Sequence, residues 1–147
     1  MTTQKLVLAA ADADDLETIS ARLQDAVGQV KDLVYLPKSR RFAGLFNRFK
    51  WESAGARSGT RIRAGLHIEG VLSAKSCKMR TSNPDAVASL LAIRFHPSGG
   101  EDPGGVIELV FSGGGVLKLD VECIDVELAD LSGEWAARGR PVHELES

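Results

Sequence analysis

Residues 61–69, which read RIRAGLHIE, alternate between apolar and polar side chains and decide the class of the fold. A period of two residues is typical of a β-strand that is buried on one face and exposed on the other. Outward from this stretch, short patterns of the same kind predict strands at 6–9, 33–36, 42–51, 91–95, 107–111 and 117–123, with an out-of-phase set near 124–128. The alternation slips at Gly70, which predicts a bulge there, and again near Cys123, which predicts a second bulge or a strand end.

One helix is predicted before most of these strands. Asp14 is a candidate N-cap, and Glu17 three residues later would complete a capping box. An apolar stripe with the 3.6-residue period of a helix is formed by Leu16, Ile19, Leu23 and Val27. Gly28 is the predicted C′ residue that ends the helix. The stripe indicates that this helix covers a sheet.

The order of these elements predicts the fold class. Strands that follow one another without crossover helices pair antiparallel, so we predict an α+β fold. Its sheet would have about six to seven strands, curled into a sandwich or barrel, with the N-terminal amphipathic helix packed on it. A short C-terminal helical turn is predicted within residues 131–138, and the length of 147 residues suits one domain with an ordered core over about residues 5–140.

Three consecutive glycines at 113–115 are predicted to form the tip of a hairpin. Apolar faces must pair with apolar faces, and this rule places Phe111 opposite Leu117. A phosphate-binding loop would need a helix N-terminus after the glycines, and a strand pattern follows instead. The outer side of this hairpin would then be an acidic face in which Glu108 opposes Asp120, and its members are Glu108, Asp120 and Glu122.

The hairpin formed by residues 42–51 and 62–68 is predicted to carry a basic face. The side chains of Ala43, Leu45, Phe49 and Trp51 are expected to point inward, as mates of the apolar set in 61–69. The outer row would then hold Arg48, Lys50, Arg61 and Arg63 together with Phe42 and Phe46. Basic side chains interleaved with aromatic rings are typical of a platform for single-stranded nucleic acid. The alternative is a solvated or internally paired basic face.

The distribution of charge along the chain is uneven although the net charge is only −2. Residues 1–30 hold 2 basic and 5 acidic side chains, residues 31–80 hold 12 and 3, and residues 81–147 hold 4 and 12. The three segments therefore carry −3, +9 and −8. A strongly basic middle indicates an anionic partner, or the molecule's own acidic half as the partner. The alternative is that the fold brings the halves together so that they neutralise each other.

The sequence argues against several kinds of chemistry. The histidines His67, His96 and His143 have no local partners at metal-ligand spacing, and no nucleophile elbow, Walker loop or paired-carboxylate motif is present. We therefore predict no catalytic residue, no metal site, no cofactor and no enzyme activity. Cys77 and Cys123 are expected to be free thiols in a reducing compartment. The absence of an apolar run long enough for a membrane span, and a poor match to a signal peptide, predict a cytoplasmic protein with no membrane partner.

Five segments are distinctive as text. They are 19–27 (ISARLQDAV), 35–38 (YLPK), 47–52 (NRFKWE), 90–95 (LLAIRF) and 119–124 (LDVECI). With them the chain resembles a small alphaproteobacterial family classed as a domain of unknown function, over nearly its whole length from Leu6 to about His143. The resemblance implies a bacterial, cytoplasmic, single-domain protein, and it brings no activity, cofactor or catalytic residue.

The leading functional hypothesis is a non-enzymatic binding or scaffold module that acts through charged sheet faces, on another protein or on copies of itself. A second hypothesis is single-stranded nucleic-acid binding through the cations Arg48, Lys50, Arg61 and Arg63. A third is a small-ligand pocket inside a barrel, lined by Phe95, Phe111 and Trp51. The acidic C-terminal half argues against broad nonspecific DNA binding, and the aromatic content of 5% argues against a ligand barrel.

Overall fold

The fold is seen in a computed structural model that describes residues 6–49, 61–79, 83 and 85–131. Within these residues the chain forms one α-helix, α1 (Ala13–Arg22), and ten strands. The strands are β1 (Val7–Ala10), β2 (Val27–Gln29), β3 (Leu33–Leu36), β4 (Arg41–Phe49), β5 (Arg61–Glu69), β6 (Val71–Cys77), β7 (Val87–Gly99), β8 (Asp102–Phe111), β9 (Val116–Val121) and β10 (Val126–Asp130).

The described strands form a single antiparallel sheet in the order β1-β10-β5-β4-β2-β7-β8-β9-β6, with β3 paired to β4. The α+β class and the antiparallel pairing are confirmed. The predicted sheet is too small, and closure into a barrel is wrong, because the observed sheet has ten strands and does not close. At Gly70, whose φ is 69°, the chain passes from β5, which pairs with β4 and β10, to β6, which pairs with β9. The C-terminal helical turn predicted within residues 131–138 lies outside the described residues, apart from Leu131 itself.

The slips in alternation mark real irregularities. The register between β6 and β9 shifts between Val71 and Ser73, just after the predicted position at Gly70. Near Cys123 the prediction of a strand end is confirmed, since β9 ends at Val121 and β10 begins at Val126. Alternation with Leu117, Leu119 and Val121 predicts Cys123 inward, and this is wrong, because Cys123 lies beyond the end of β9 and is exposed.

Helix α1 begins and ends earlier than its predicted limits. Its N-cap is Asp12 rather than Asp14, and the Asp12 carboxylate accepts a hydrogen bond from the backbone N–H of Asp15 at 2.8 Å. After the helix, Asp25 has a φ of 69° and its N–H bonds to the carbonyl of Leu90 at 2.8 Å, which draws the chain into the sheet. Gly28 therefore lies in β2 and is not the helix C′ residue.

The core is one cluster of buried side chains enclosed by α1 and the inner face of the sheet. The stripe prediction is confirmed for Leu16, Ile19 and Leu23, which are almost completely buried. Val27 is half-buried and belongs to β2, where it pairs with Asn47. The helix thus covers the sheet, as the stripe indicated.

The hairpin of β8 and β9 is present, with a register that differs by two residues from the predicted one. Leu109 faces Leu117, and the N–H of Phe111 bonds to the carbonyl of Gly115 at 2.8 Å. The tip is a 3₁₀ turn, Ser112–Gly114, in which Gly113 and Gly114 have φ of 86° and 94°. Because the register differs by an even number of residues, the side chains predicted to face the core do so. The 3₁₀ turn at the tip shifts each cross-strand pair by two residues.

Two connecting segments differ from what their composition predicts. The polar, Gly- and Pro-rich stretch 97–105 has the composition of a loop, but β7 and β8 run through it to a tip at Gly99 and Gly100, which have positive φ. The Asn-Pro-Asp stretch from Asn83 predicts a turn followed by a short helical piece through Ala88. The turn is present, since the Asn83 carbonyl accepts a hydrogen bond from the N–H of Ala86 at 3.0 Å, whereas the residues from Val87 onward form the start of β7. No helix among the described residues is long and apolar enough to cross a membrane.

Candidate protein-binding face

The two faces of β4 are reversed relative to the prediction. Phe42, Phe46 and Arg48 point into the core and are at most 2% exposed, whereas the intervening residues are half-buried on the outer side. Phe42 is paired with Ile68, and Arg48 with Ile62. The apolar set of β5, Ile62, Ala64, Leu66 and Ile68, points inward as predicted. Gly44 lies between the two aromatic rings on the inner side and gives them room, since a Cβ there would lie 3.1 Å from the Phe46 ring.

The guanidinium group of Arg48 forms a buried ion pair with the carboxylate of Asp130. Its Nε donates to Oδ1 of Asp130 at 3.0 Å, and its Nη2 donates to Oδ2 at 2.9 Å. The Asp130 carboxylate also accepts the backbone N–H of Leu6 at 3.0 Å. The two side chains are 1% and 2% exposed. Arg48 therefore does not share a solvent-facing row with Arg61 and Arg63, and that part of the predicted basic face is wrong.

The acidic side chains predicted to form one face do not oppose one another, and two of them, Glu108 and Glu122, have basic neighbours. Glu108 lies between Arg94 and Lys118 on the adjacent strands, and its Oε1 is 2.9 Å from Nε2 of His96. Asp120 is opposite Val106 and Ser73. The predicted opposition of Glu108 and Asp120 is wrong because of the two-residue difference in register. Glu122 lies on another part of the surface, where it pairs with Arg40 at 3.0 Å.

Two of these contacts join the basic middle of the chain to its acidic C-terminal half. They are the Arg40–Glu122 pair at 3.0 Å and the buried Arg48–Asp130 pair. Some of the basic side chains are therefore neutralised by acidic side chains of the same molecule, which is the alternative explanation of the uneven charge. Of the predicted basic row, Lys50 lies outside the described residues, as does Trp51.

Arg61 and Arg63 lie on the solvent side of β5. The guanidinium carbon of Arg61 is 4.4 Å from the centroid of the Phe49 ring on β4, which is a cation–π contact. Arg63 is opposite Asn47. These two cations belong to a larger surface, here named the outer face, which is the solvent side of β1, β10, β5, β4 and β3.

The outer face carries a concentration of exposed apolar side chains. Among the described residues, seven large hydrophobic side chains are exposed, and four of these lie here: Val7, Val34, Leu36 and Leu131. The pairing of the strands places Val7, Ala129, Gly65 and Leu45 in one row. The Leu131 side chain lies over Gly65, 3.6 Å from where a Cβ would stand. The sequence pattern does not reveal this apolar surface, because an exposed valine or leucine in a strand follows the same alternation as a buried one.

Charges on the outer face are divided along the strands. Arg61 and Arg63 lie at one end of β5. Toward the other end, Glu127 is opposite His67, and the exposed Asp125 lies beside Glu69, whose N–H bonds to the Asp125 carbonyl. Glu69 also pairs with Arg41 at 2.8 Å. The outer face thus has a basic end, an apolar middle around Gly65, and an end with more acidic than basic groups, where Arg41, Val34 and Leu36 also lie.

The described residues bring no three His, Cys, Asp or Glu side chains close enough together to hold a metal ion. Cys77 and Cys123 are unbridged, the first half-buried and the second exposed. The geometry that remains as a candidate site is the outer face, which can bury apolar area and form ion pairs with a partner.

This arrangement defines a small α+β protein with one open antiparallel sheet and an amphipathic outer surface. The family model described as "Protein of unknown function (DUF2948)" matches residues 6–143, which is nearly the whole chain, and the chain belongs to that family. No curated protein and no solved structure matches the chain significantly.

Proposed function

We propose that this protein is a non-enzymatic binding module that engages another protein chain through its outer face. The observation that carries the proposal is the concentration of four of the seven exposed large hydrophobic side chains of the described residues on this one surface. Contiguous exposed apolar patches with polar rims mark interaction sites in soluble proteins. Alternating exposure along β1 and β3 puts Val7, Val34 and Leu36 on the solvent side, whereas Leu8 and Leu33 pack against the core.

The charged groups supply the rim of this surface. Arg61 is held against the Phe49 ring, so its side chain presents a flat and partly ordered surface to a partner. Arginine and aromatic side chains are enriched at interfaces, where they often carry much of the binding energy. We assign the apolar contact area to Val7, Val34, Leu36 and Leu131. The ionic contacts of the basic end are assigned to Arg61 and Arg63.

The two other functional hypotheses have less support. Binding of single-stranded nucleic acid has less support because Arg48, part of the predicted basic platform, is buried in the core. The acidic Asp125 and Glu127 also lie on the outer face together with Arg61 and Arg63. For a ligand barrel, the sheet is open, and Phe111 is 2% exposed within the core cluster. Phe95 lines an open groove of about 350 Å³ that also contains the charged side chains of Glu17 and Arg94.

Site-specific photo-crosslinking in the cells that make the protein tests the proposal. A photoreactive amino acid is placed at Leu36 on the outer face and, in a second variant, at Leu91 on β7. Both leucines are 43% exposed, so the two positions are matched in residue type and accessibility. We expect covalent protein adducts from position 36 and few from position 91. Adducts at neither position, or equally at both, would overturn the proposal.

Binding to a fluorescently labelled oligo-dT strand tests the nucleic-acid hypothesis separately. We expect no saturable change in anisotropy with the unmodified protein at physiological salt. Saturable binding that is weakened by Arg61→Glu with Arg63→Glu, with a shallower dependence on salt, would favour nucleic acid over protein as the partner.

A further inference from the structure

We infer that the partner of the outer face is a second copy of this chain, packed face to face about a two-fold axis that crosses the strands at Gly65. This inference rests on the proposed function and names the occupant of the same surface. It depends on the separation of basic and acidic side chains toward opposite ends of the strands. The separation is self-complementary, because a second copy turned end for end places its acidic end over the basic end of the first.

The register supplies the symmetry. Arg61 and Arg63 precede Gly65 on β5 by four and two positions, and His67 and Glu69 follow it by two and four. Glu127 stands opposite His67, so it shares that distance from the Gly65 row. The basic and acidic groups are therefore placed symmetrically about Gly65.

A two-fold axis in the interface and perpendicular to the strands reverses the strand direction of the second copy. It brings Arg61 and Arg63 of each copy over the end of the other that holds Glu69, Glu127 and the Arg41 paired with Glu69, and it does so twice because the interface is isologous. An axis parallel to the strands would instead place the two basic ends together. Opposed like charges cost several kcal/mol at an interface, so charge selects the first arrangement.

The shape of the middle of the face permits this contact. Gly65 and Ala129 are neighbours on β5 and β10, and the space above these small residues is partly filled by the Leu131 side chain, which lies over Gly65. Two sheets that pack face to face lie about 10 Å apart, with side chains from both filling the space. Leu131 and Leu45 stand beside this centre and would fill it, while Val7, Val34 and Leu36 extend the apolar area.

Light scattering on the full chain after gel filtration tests the inference through a pair of charge reversals. In Arg63→Glu, position 63 of each copy faces Glu127 of the other, so this variant repels itself. In Glu127→Arg, position 127 faces Arg63, and this variant repels itself as well. In an equimolar mixture, both symmetric contacts are attractive again.

We expect a dimer for the unmodified protein, about tenfold or more weaker association for each variant alone, and recovery of the dimer in the mixture. Lys75→Glu is the matched control, because Lys75 is an exposed cation on β6 and should leave the dimer intact. Circular dichroism confirms that every variant is folded. A monomeric unmodified protein, or a mixture that stays monomeric, would overturn the inference.

The two proposals fail in distinguishable ways. If the unmodified protein is monomeric while the probe at Leu36 still forms adducts of another mass, the outer face binds a different protein and the second-copy inference is wrong. If the Leu36 probe forms no adducts in cells and the purified protein is also monomeric, both proposals fall together. Adducts with twice the mass of the chain support both.

Discussion

Arg48 and Asp130 form the buried ion pair that joins β4 to the C-terminal strand of the described chain. Nε and Nη2 of Arg48 both donate to the Asp130 carboxylate, at 3.0 and 2.9 Å. Nη1 donates to the carbonyl of Phe49 at 3.0 Å. With the Leu6 N–H added, the carboxylate accepts three hydrogen bonds. A buried pair offsets its desolvation cost only when hydrogen bonds satisfy both groups, and this geometry does so.

Removal of one member of this pair should be far more costly than removal of both. We expect Arg48→Met to lower the free energy of unfolding by about 3–5 kcal/mol, because Asp130 is left charged and buried. The double variant Arg48→Met with Asp130→Leu should recover much of that loss, although the Leu6 N–H loses its acceptor. Urea titration followed by circular dichroism measures both. A loss of less than about 1 kcal/mol for the single variant would contradict the importance of the pair.

Gly28 allows the close approach of β2 and β4. A Cβ at this position would stand 2.7 Å from the carbonyl oxygen of Leu45, which is backbone and cannot move aside easily. We expect Gly28→Ala to destabilise the protein by about 1–3 kcal/mol, as overpacking does in other cores. Gly65→Ala is the control, since its methyl group would meet only Leu131 at ordinary contact distance. Equal melting temperatures for the two variants would show that β2 can shift.

At the scale of elements, α1 is held by packing and by a hydrogen bond between Ser20 and the sheet. The backbone N–H of Ile93 donates to Oγ of Ser20 at 2.9 Å. This bond lies next to a bulge in β7, where the register shifts between Leu90 and Ala92. The bulge turns Leu91 to the solvent side and keeps Leu90 and Ile93 beneath the helix. Simple alternation predicts Leu91 inward, and it fails at this residue.

Leu23 is the strongest test of the helix contact because it is completely buried directly after α1. We expect Leu23→Ala to lower the free energy of unfolding by about 2–5 kcal/mol, through lost apolar contact and the cavity that remains. Thr18→Ala, at an exposed position of the same helix, should change it by less than about 0.5 kcal/mol. Similar values for both variants in a denaturant titration would mean that the helix is peripheral to the core.

At the scale of the whole molecule, the sheet joins distant parts of the chain. β1 pairs with β10, β5 also pairs with β10, and β2 bridges β4 and β7. The ion pairs Arg40–Glu122 and Arg48–Asp130 follow the same long-range connections. The first pair is exposed and contributes little, whereas the second is buried and depends on the sheet being complete.

This topology predicts slow folding. Loop-closure entropy must be overcome before the β1–β10 pairing can form, and folds with mostly non-local pairing fold on the order of milliseconds to seconds. Stopped-flow refolding from urea, followed by intrinsic fluorescence, should show a main phase in that range. A main phase completed within microseconds would contradict the non-local topology. A phase of tens of seconds would instead indicate proline isomerisation.

The sequence determined the antiparallel α+β class, the buried stripe of α1 and the inner faces of β5 and β8. In α1 and β5 only one face is apolar, so burial has a single solution, and in β8 the charged Glu108 marks the outer face although Val106 and Val110 flank it. It also predicted Arg61 and Arg63 on the outer side, because they alternate with the inward residues of β5. Local composition was sufficient wherever the two faces of an element differ clearly in hydrophobicity.

Only the tertiary structure decided which face of β4 is buried, because this strand carries apolar side chains on both faces. The larger rings of Phe42 and Phe46 fill the core beside Gly44, and Arg48 can enter it only because Asp130 arrives from a strand far along the chain. Asp130 follows the buried residues Val126 and Leu128 at the same spacing of two. This position was the one feature of the local sequence that indicated a buried carboxylate as the partner of Arg48. The outer face likewise required the tertiary structure, since its five strands meet only when the sheet is assembled. Alternation is a local property, whereas the choice between two apolar faces depends on volumes and charges that distant segments contribute.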